Sequence, residues 1–180
     1  MSVTVAPLAL ILPVEQLLRI LPGANVLPHP LTTALLVPII HNACQIYRVI
    51  VSNGVTPYNN MNPRGQLERI INTAKHKTVS AKLARIQGAH NNGWEAYSLF
   101  TVGVLAAVFA GSDEDDTARL AVVFACLRAL YSVIYMSDRL NVVGKGWVRS
   151  TVWWCAGICA ARLLVLGKDS LLAAAAAGAK

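Results

Sequence analysis

The run GWEAYSLFTVGVLAAVFAGSDEDDTARLAVVFACLRALYSVIYM, residues 93–136, decides the fold. It holds two apolar segments, Gly93 to Ala110 and Ala118 to Met136, each long enough for a helix to cross a hydrocarbon core, which takes roughly 20 residues. Only GSDEDDT, residues 111–117, separates them, a connection too short for anything but an antiparallel hairpin, so the two spans are neighbours. Outward from this hairpin, Leu31 to Val51 and Trp147 to Leu166 read as two further spans. The predicted fold class is all-α, an integral membrane four-helix bundle over residues 31–166. Residues 1–30 read as an interfacial or re-entrant arm, because Val3 to Val14 is too short to span, is broken by Pro7 and Pro13 and lacks the basic start of a secretory signal. Residues 167–180 read as a tail, frayed from Ala173 onward. No internal repeat is evident.

Composition agrees with a lipid environment. In 180 residues, 55% are hydrophobic and 14% charged, with a mean hydropathy of +0.49, where a globular domain carries about 25% charged residues. The net charge of +7 raises nucleic acid as a partner, but the basic residues are interleaved with long apolar runs, which sets aside soluble DNA-binding and disordered classes. Cys44, Cys126, Cys155 and Cys159 fall inside apolar stretches, without the paired spacing of a zinc site or the density of a disulfide scaffold. They read as buried thiols, and Cys155, Ala156, Gly157, Cys159 and Ala160 as a close-packing face.

Loop charge sets the expected orientation, since Lys and Arg accumulate on the cytoplasmic side. Arg64, Arg69, Lys75, Lys77, Lys82 and Arg85 lie between the first two spans, and Arg139 and Lys145 between the last two. The hairpin turn instead carries Asp113, Glu114, Asp115 and Asp116. Both long basic connections are therefore expected in the cytosol, with both termini on the far side. The loop from Gly54 to Val79 opens with turns around Pro57 and Asn62-Pro63-Arg64-Gly65, and from Gln66 onward reads as a short surface helix running into the second span.

Ionisable residues inside spans are costly and mark functional sites by default. His41, Gln45 and Arg48 recur at helical spacing in the first span, as do Arg85, Gly88, Asn92 and Glu95 in the second. Arg128, Tyr131 and Tyr135 follow i, i+3, i+7 in the third, and Arg149, Ser150 and Trp153 open the fourth. All four clusters lie toward the expected cytosolic leaflet and together describe a pocket for a polar, anionic molecule. Arg offers a planar fork to carboxylates, Glu accepts an ammonium group, and Tyr hydroxyls bond an oxyanion or thiolate. Plainer readings stand beside this one. Arg48, Arg139 and Lys145 can snorkel to headgroups, Asn92 and His90 can be interhelical glue, and Tyr131 and Tyr135 can belong to an interfacial aromatic belt. Arg149 can serve as a salt bridge or headgroup contact. Glu95 needs a cationic partner, expected to be Arg128 or Arg149.

The stretch Arg85-Ile86-Gln87-Gly88-Ala89-His90-Asn91-Asn92-Gly93-Trp94-Glu95 resembles the signature of the membrane-associated proteins in eicosanoid and glutathione metabolism, the MAPEG family. Arg128, Tyr131, Tyr135 and Arg149-Ser150 are similar to the third- and fourth-helix pattern of its eicosanoid-synthase branches, and Asn62-Pro63-Arg64 resembles an uncharacterised microbial branch. The resemblance covers about Leu31 to Leu166. It implies a homotrimer binding glutathione between adjacent subunits near the cytosolic face. Asn92 and Glu95 would hold the glutathione backbone, His90 would add a polar contact, Tyr131 and Tyr135 would line the pocket, and Arg48 would reach in from a neighbour. Arg149 would stabilise the thiolate as the catalytic residue, with Ser150 beside it. Gly88 departs from the pattern by standing where an arginine often binds a glutathione carboxylate; Arg85 or Arg128 would compensate. Trp153 departs by replacing a tyrosine.

The expected activity is that of a glutathione transferase or peroxidase acting on lipophilic electrophiles or lipid hydroperoxides in the bilayer. The alternative is a non-catalytic lipid-binding or scaffolding protein of the same fold, which Gly88 favours. A transporter or channel has little support, because the polar residues form no continuous path. The expected membrane is the endoplasmic reticulum in a eukaryote or the inner membrane in a bacterium.

Overall fold

The computed structural model describes residues 14, 16, 18–23, 25–72, 77–137 and 146–178. Residues 1–13 of the expected arm, with 15, 17 and 24, and the basic loop residues Lys75, Arg139 and Lys145 lie outside the described set. Among the described residues the helices with full bounds are, in order, α1 (Pro30–Asn53), α2 (Pro63–Asn72), α3 (Lys77–Phe109), α4 (Glu114–Met136) and α5 (Trp147–Gly178). Among the described residues there is no strand.

Three of the helices, α1, α4 and α5, are long and apolar enough to cross a membrane. The sequence reading expects four spans, and α3 falls short by composition. At 33 residues it is about 50 Å long, but its first half carries Lys77, Lys82 and Arg85, and Glu95 follows just past its middle. It extends from Lys77, well ahead of the apolar run that opens at Gly93, since the polar residues between them are at helical spacing and include no proline. Likewise α5 runs on through the Ala-rich stretch to Gly178 where a frayed tail is expected, because alanine has the highest helix propensity.

Helices α3 and α4 form the central pair, with α1 packed on one side of both and α5 on the other. The turn joining the pair closes as the spacing predicts. Gly111 adopts φ +65°; its N–H donates to Val108 O, and the Ser112 N–H to Ala107 O, the paired bonds of a Schellman motif. The Asp113 side chain then accepts the Asp116 N–H at 2.8 Å and caps α4. Glu114, Asp115 and Asp116 fall in the first turn, where they complement the helix dipole.

The core runs along this hairpin. Phe100 and Phe124 stack with ring centroids 3.9 Å apart, and Cys155, Ala156, Cys159, Ala160 and Leu163 of α5 close over them. Small residues let α3 and α5 approach. A Cβ on Gly103 would lie 2.8 Å from Ala160 O, and one on Gly167 2.7 Å from the Ala106 carbonyl carbon. Gly157 does not belong to this face, since a Cβ there would meet nothing within 4 Å. Cys126 is exposed rather than buried, on the outward side of α4. Of the described residues ahead of α1, Val14 is fully buried in this core, with Leu18 and Leu21 packed against it.

Helix α2 starts at Pro63 rather than Gln66. The Gly65 N–H donates to Asn62 Oδ1 at 2.9 Å, so Asn62 is the cap and Pro63 the first helical residue. A Cβ on Gly65 would sit 2.6 Å from the Asn62 side-chain amide, so a larger residue there would push the cap out of place. Gln66 braces the preceding loop: its Nε2 donates to Thr56 Oγ1 and Pro57 O, and its Oε1 accepts the Asn59 N–H. Leu67 and Ile70 pack on Leu83 of α3, and Ser80 Oγ donates to Ile70 O at 2.7 Å.

Candidate functional site

The polar residues of α3 divide between two sides of the helix. Gly88, Asn92 and Glu95 follow i, i+4, i+7 and share one side, which meets α4 and α5. Arg128, late in α4, is fully buried and donates from Nη2 to Asn92 Oδ1 at 3.0 Å. Asn92 in turn donates from Nδ2 to Glu95 Oε2 at 3.3 Å. The cationic partner expected for Glu95 is thus reached through an amide. Glu95 sits on the exposed edge of α3 and Arg128 behind it in the interior. Arg128 also lies over the Tyr131 ring, 4.4 Å from its centroid, and Tyr131 meets Tyr135 edge-on at 5.5 Å.

Arg149, in the first turn of α5, lies over the other aromatic, with its guanidinium carbon 4.6 Å from the Tyr135 ring centroid. Such a contact contributes about 0.5–2 kcal/mol and holds a mobile side chain in one orientation. The Tyr135 hydroxyl rests on α3 at Gly88, where a Cβ would come within 2.8 Å of it. Gly88 therefore seats a tyrosine, a role the sequence reading missed. Ser150 is half-buried next to Arg149.

Beyond Asn92 and Glu95 the surface turns apolar. A groove of about 370 Å³ runs from these two residues along Leu99, Phe124, Trp153, Trp154 and Ile158. Trp153 is one turn beyond Arg149 on the same helix face. The groove thus has a polar end with a nearby guanidinium and an apolar body.

The other side of α3 meets α1. Arg48, only 5% exposed, donates from Nη1 to Gln87 Oε1 at 2.9 Å, and Gln87 Nε2 donates to Asn91 Oδ1 at 2.6 Å. His90 Nδ1 is 3.0 Å from His41 O. His41 is itself fully buried, edge-on to Trp94 and Tyr97, and packs so close that a Cβ on Gly93 would come 2.5 Å from its ring. A cleft of about 800 Å³ opens between α1, α2 and α3, lined by Arg48, Gln87, His90 and Asn91 together with Arg64 and Glu68 from α2.

The candidate residues therefore form two constellations rather than one. Asn92, Glu95, Arg128, Tyr131, Tyr135 and Arg149 gather on the α4–α5 side, and Arg48 and His90 on the α1–α2 side. Arg85 and Ser150 line neither the groove nor the larger cleft. Gln87 and Asn91 were passed over in the sequence, although they lie inside the same polar run. The wall formed by α2 was read only as a turn and a short surface helix in a basic loop, not as part of a cleft.

The family model described as the MAPEG family matches residues 31–167. Neither the curated proteins nor the solved structures yielded a match to this chain.

Proposed function

The chain belongs to the MAPEG family, and from that premise we propose that it binds glutathione at the membrane and activates it toward lipophilic electrophiles or lipid hydroperoxides, as a transferase or peroxidase. The observation that carries this reading is the guanidinium of Arg149, stacked on Tyr135 and one turn from an apolar groove that begins at Asn92 and Glu95. The donor set fits the tripeptide, which presents two carboxylates, an ammonium group, peptide N–H groups and a thiol. Glutathione supplies the nucleophile, a thiol with an ordinary pKa of about 8.5 whose ionised form is the reactive one.

Arg149 is the catalytic residue of the proposal. A fixed cation in a low-dielectric site favours the thiolate, by about 1.4 kcal/mol for each pKa unit. Tyr135 keeps that guanidinium in place, and Ser150 offers a hydroxyl beside it. Glu95 and Asn92 hold the peptide backbone, Arg128 fixes the Asn92 amide from behind, and Tyr131 closes the wall. Arg85, which the helical period puts on the Gly88–Asn92 side of α3, offers a guanidinium to a carboxylate in the absence of an arginine at position 88. Arg48 and His90 lie on the opposite side of α3, so they complete the site from a second copy of the chain, in keeping with a homotrimer. The groove admits an apolar substrate from the bilayer to the activated thiol. Its polar end faces the cytosol in this reading, in the endoplasmic reticulum of a eukaryote or the inner membrane of a bacterium.

Ultraviolet detection of thiolate during glutathione titration of the purified protein tests the proposal. A saturable signal at neutral pH in wild type, lost in Arg149→Ala, is the expected result. No signal in wild type overturns it. The Tyr135 hydroxyl occupying the space beside Gly88 favours a second reading, a non-catalytic lipid-binding or scaffolding protein. In that case the protein ignores glutathione and copurifies with a lipid.

A further inference from the structure

Gly103 and Gly167 are small because the neighbouring helix leaves no room for a Cβ, but Gly157 has no such reason. A Cβ there would meet nothing within 4 Å, although the residue stands well inside α5, where glycine is disfavoured relative to alanine. What it borders is the apolar groove, whose α5 wall is built from Trp153, Trp154, Gly157, Ile158, Ala160 and Ala161. Trp153 lies one turn before Gly157 and Ala161 one turn after it, on the same face. The bare backbone of Gly157 is thus a gap in that wall between an indole and a methyl group.

Both walls of the groove place this gap at a similar depth. Helices α3 and α5 run in the same direction, since Gly103 meets Ala160 and Ala106 meets Gly167. From Arg149 to Gly157 is about 12 Å along α5, and from Asn92 to Leu99, on the opposite wall, about 10 Å along α3. The first of these distances takes about ten carbons of an extended chain at ordinary bond lengths. We infer that Gly157 is a specificity-determining residue, which keeps the groove open at this depth for lipophilic electrophiles that carry the reactive carbon at one end of a long apolar body. The inference rests on the glutathione reading and narrows its substrate class. A compact electrophile reacts near Arg149 without reaching Gly157, whereas a long one runs past it.

Glutathione conjugation of two α,β-unsaturated aldehydes, hexenal and tetradecenal, by the full-length purified protein in phosphatidylcholine vesicles tests the assignment. In both, the thiolate adds to the β-carbon and the alkene π pair passes to the carbonyl oxygen. The resulting enolate takes a proton from water at the α-carbon, and nothing leaves. Each variant is compared with wild type on the same aldehyde, so partition into the bilayer cancels. Gly157→Leu should lower kcat/KM for tetradecenal by about tenfold, the burial of about two methylenes. It should change that for hexenal, which ends short of the gap, by less than about twofold. Gly157→Ala should cost tetradecenal about two- to fourfold, with thermal unfolding no lower than wild type, because the new Cβ meets no atom. Equal kcat/KM for tetradecenal in wild type and Gly157→Leu overturns the assignment and leaves the glutathione reading standing. A loss that is the same for both aldehydes also overturns it, since Gly157 then supports the fold or a contact with a second copy. Wild type that conjugates neither aldehyde removes the assignment, and the thiolate titration shows separately whether the glutathione reading falls with it.

Discussion

Replacing Gly88 with alanine separates the seating of Tyr135 from the stability of the bundle. The added Cβ would lie 2.8 Å from Tyr135 Oη, 3.1 Å from Cζ and 3.2 Å from Cε1. Ordinary contact begins near 3.4 Å, so the hydroxyl must retreat by about 0.6 Å. The obstructing atoms belong to the far end of a side chain rather than to backbone, so the ring can yield. Exchanging glycine for alanine within a helix gains about 1 kcal/mol, which offsets the repacking. Stability should stay within about 1 kcal/mol of wild type, or about 2–4 °C in Tm. The retreat does disturb the ring that supports Arg149. Losing a contact of about 0.5–2 kcal/mol weakens glutathione-thiolate binding by about 2- to 30-fold. Tyr135→Phe in the Gly88→Ala background removes the nearest atom and should restore part of the affinity, a non-additivity that a double-mutant cycle measures. Thermal unfolding and thiolate titration of the four proteins give both quantities. Unchanged thiolate binding in Gly88→Ala, or destabilisation beyond about 3 kcal/mol, would refute the reasoning.

Other consequences follow from the same geometry. Asn92→Ala deprives the buried Arg128 of its acceptor and should cost about 1–3 kcal/mol, read as a lowered Tm, whereas Glu95→Gln keeps that bond and should leave Tm near wild type. In Gly167→Ala the new Cβ meets the Ala106 backbone, which cannot turn aside, so α3 and α5 must separate and stability should fall by about 1–3 kcal/mol. Trp153→Ala opens the apolar groove and is expected to raise KM for a lipophilic electrophile several-fold while leaving the thiolate titration unchanged; an equal loss in both would place Trp153 with the thiol instead. Gly65→Ala drives a Cβ into the Asn62 cap and should loosen α2, seen as faster proteolysis of the loop before it.

Much of this architecture is legible in the order of the residues. Apolar runs of spanning length, one acidic turn too short to cross over, and polar residues at helical spacing give the helices, the hairpin and the family signature without reference to any contact. Each of these is a local property of the backbone, set by hydropathy, turn chemistry and the 3.6-residue period. Helix ends were less legible, because a hydropathy run stops where polarity changes while a helix stops where a breaker or cap intervenes. Hence α3 begins at Lys77 and α5 continues to Gly178.

Which neighbour each polar face meets was decided by tertiary packing alone. The period places Gln87, Gly88, Asn91 and Asn92 around α3, but α3 touches α1, α4 and α5, and nothing in the period says which side faces which helix. In lipid that choice depends on where small residues allow close approach, as Gly103 and Gly167 do for α5. Once α5 is seated there, Gly88 faces Tyr135, Arg128 lies behind Asn92, and Arg48 falls on the far side of the helix. The sequence by itself determined the set of polar residues carried on these helices; their division into two constellations came only from how the helices pack.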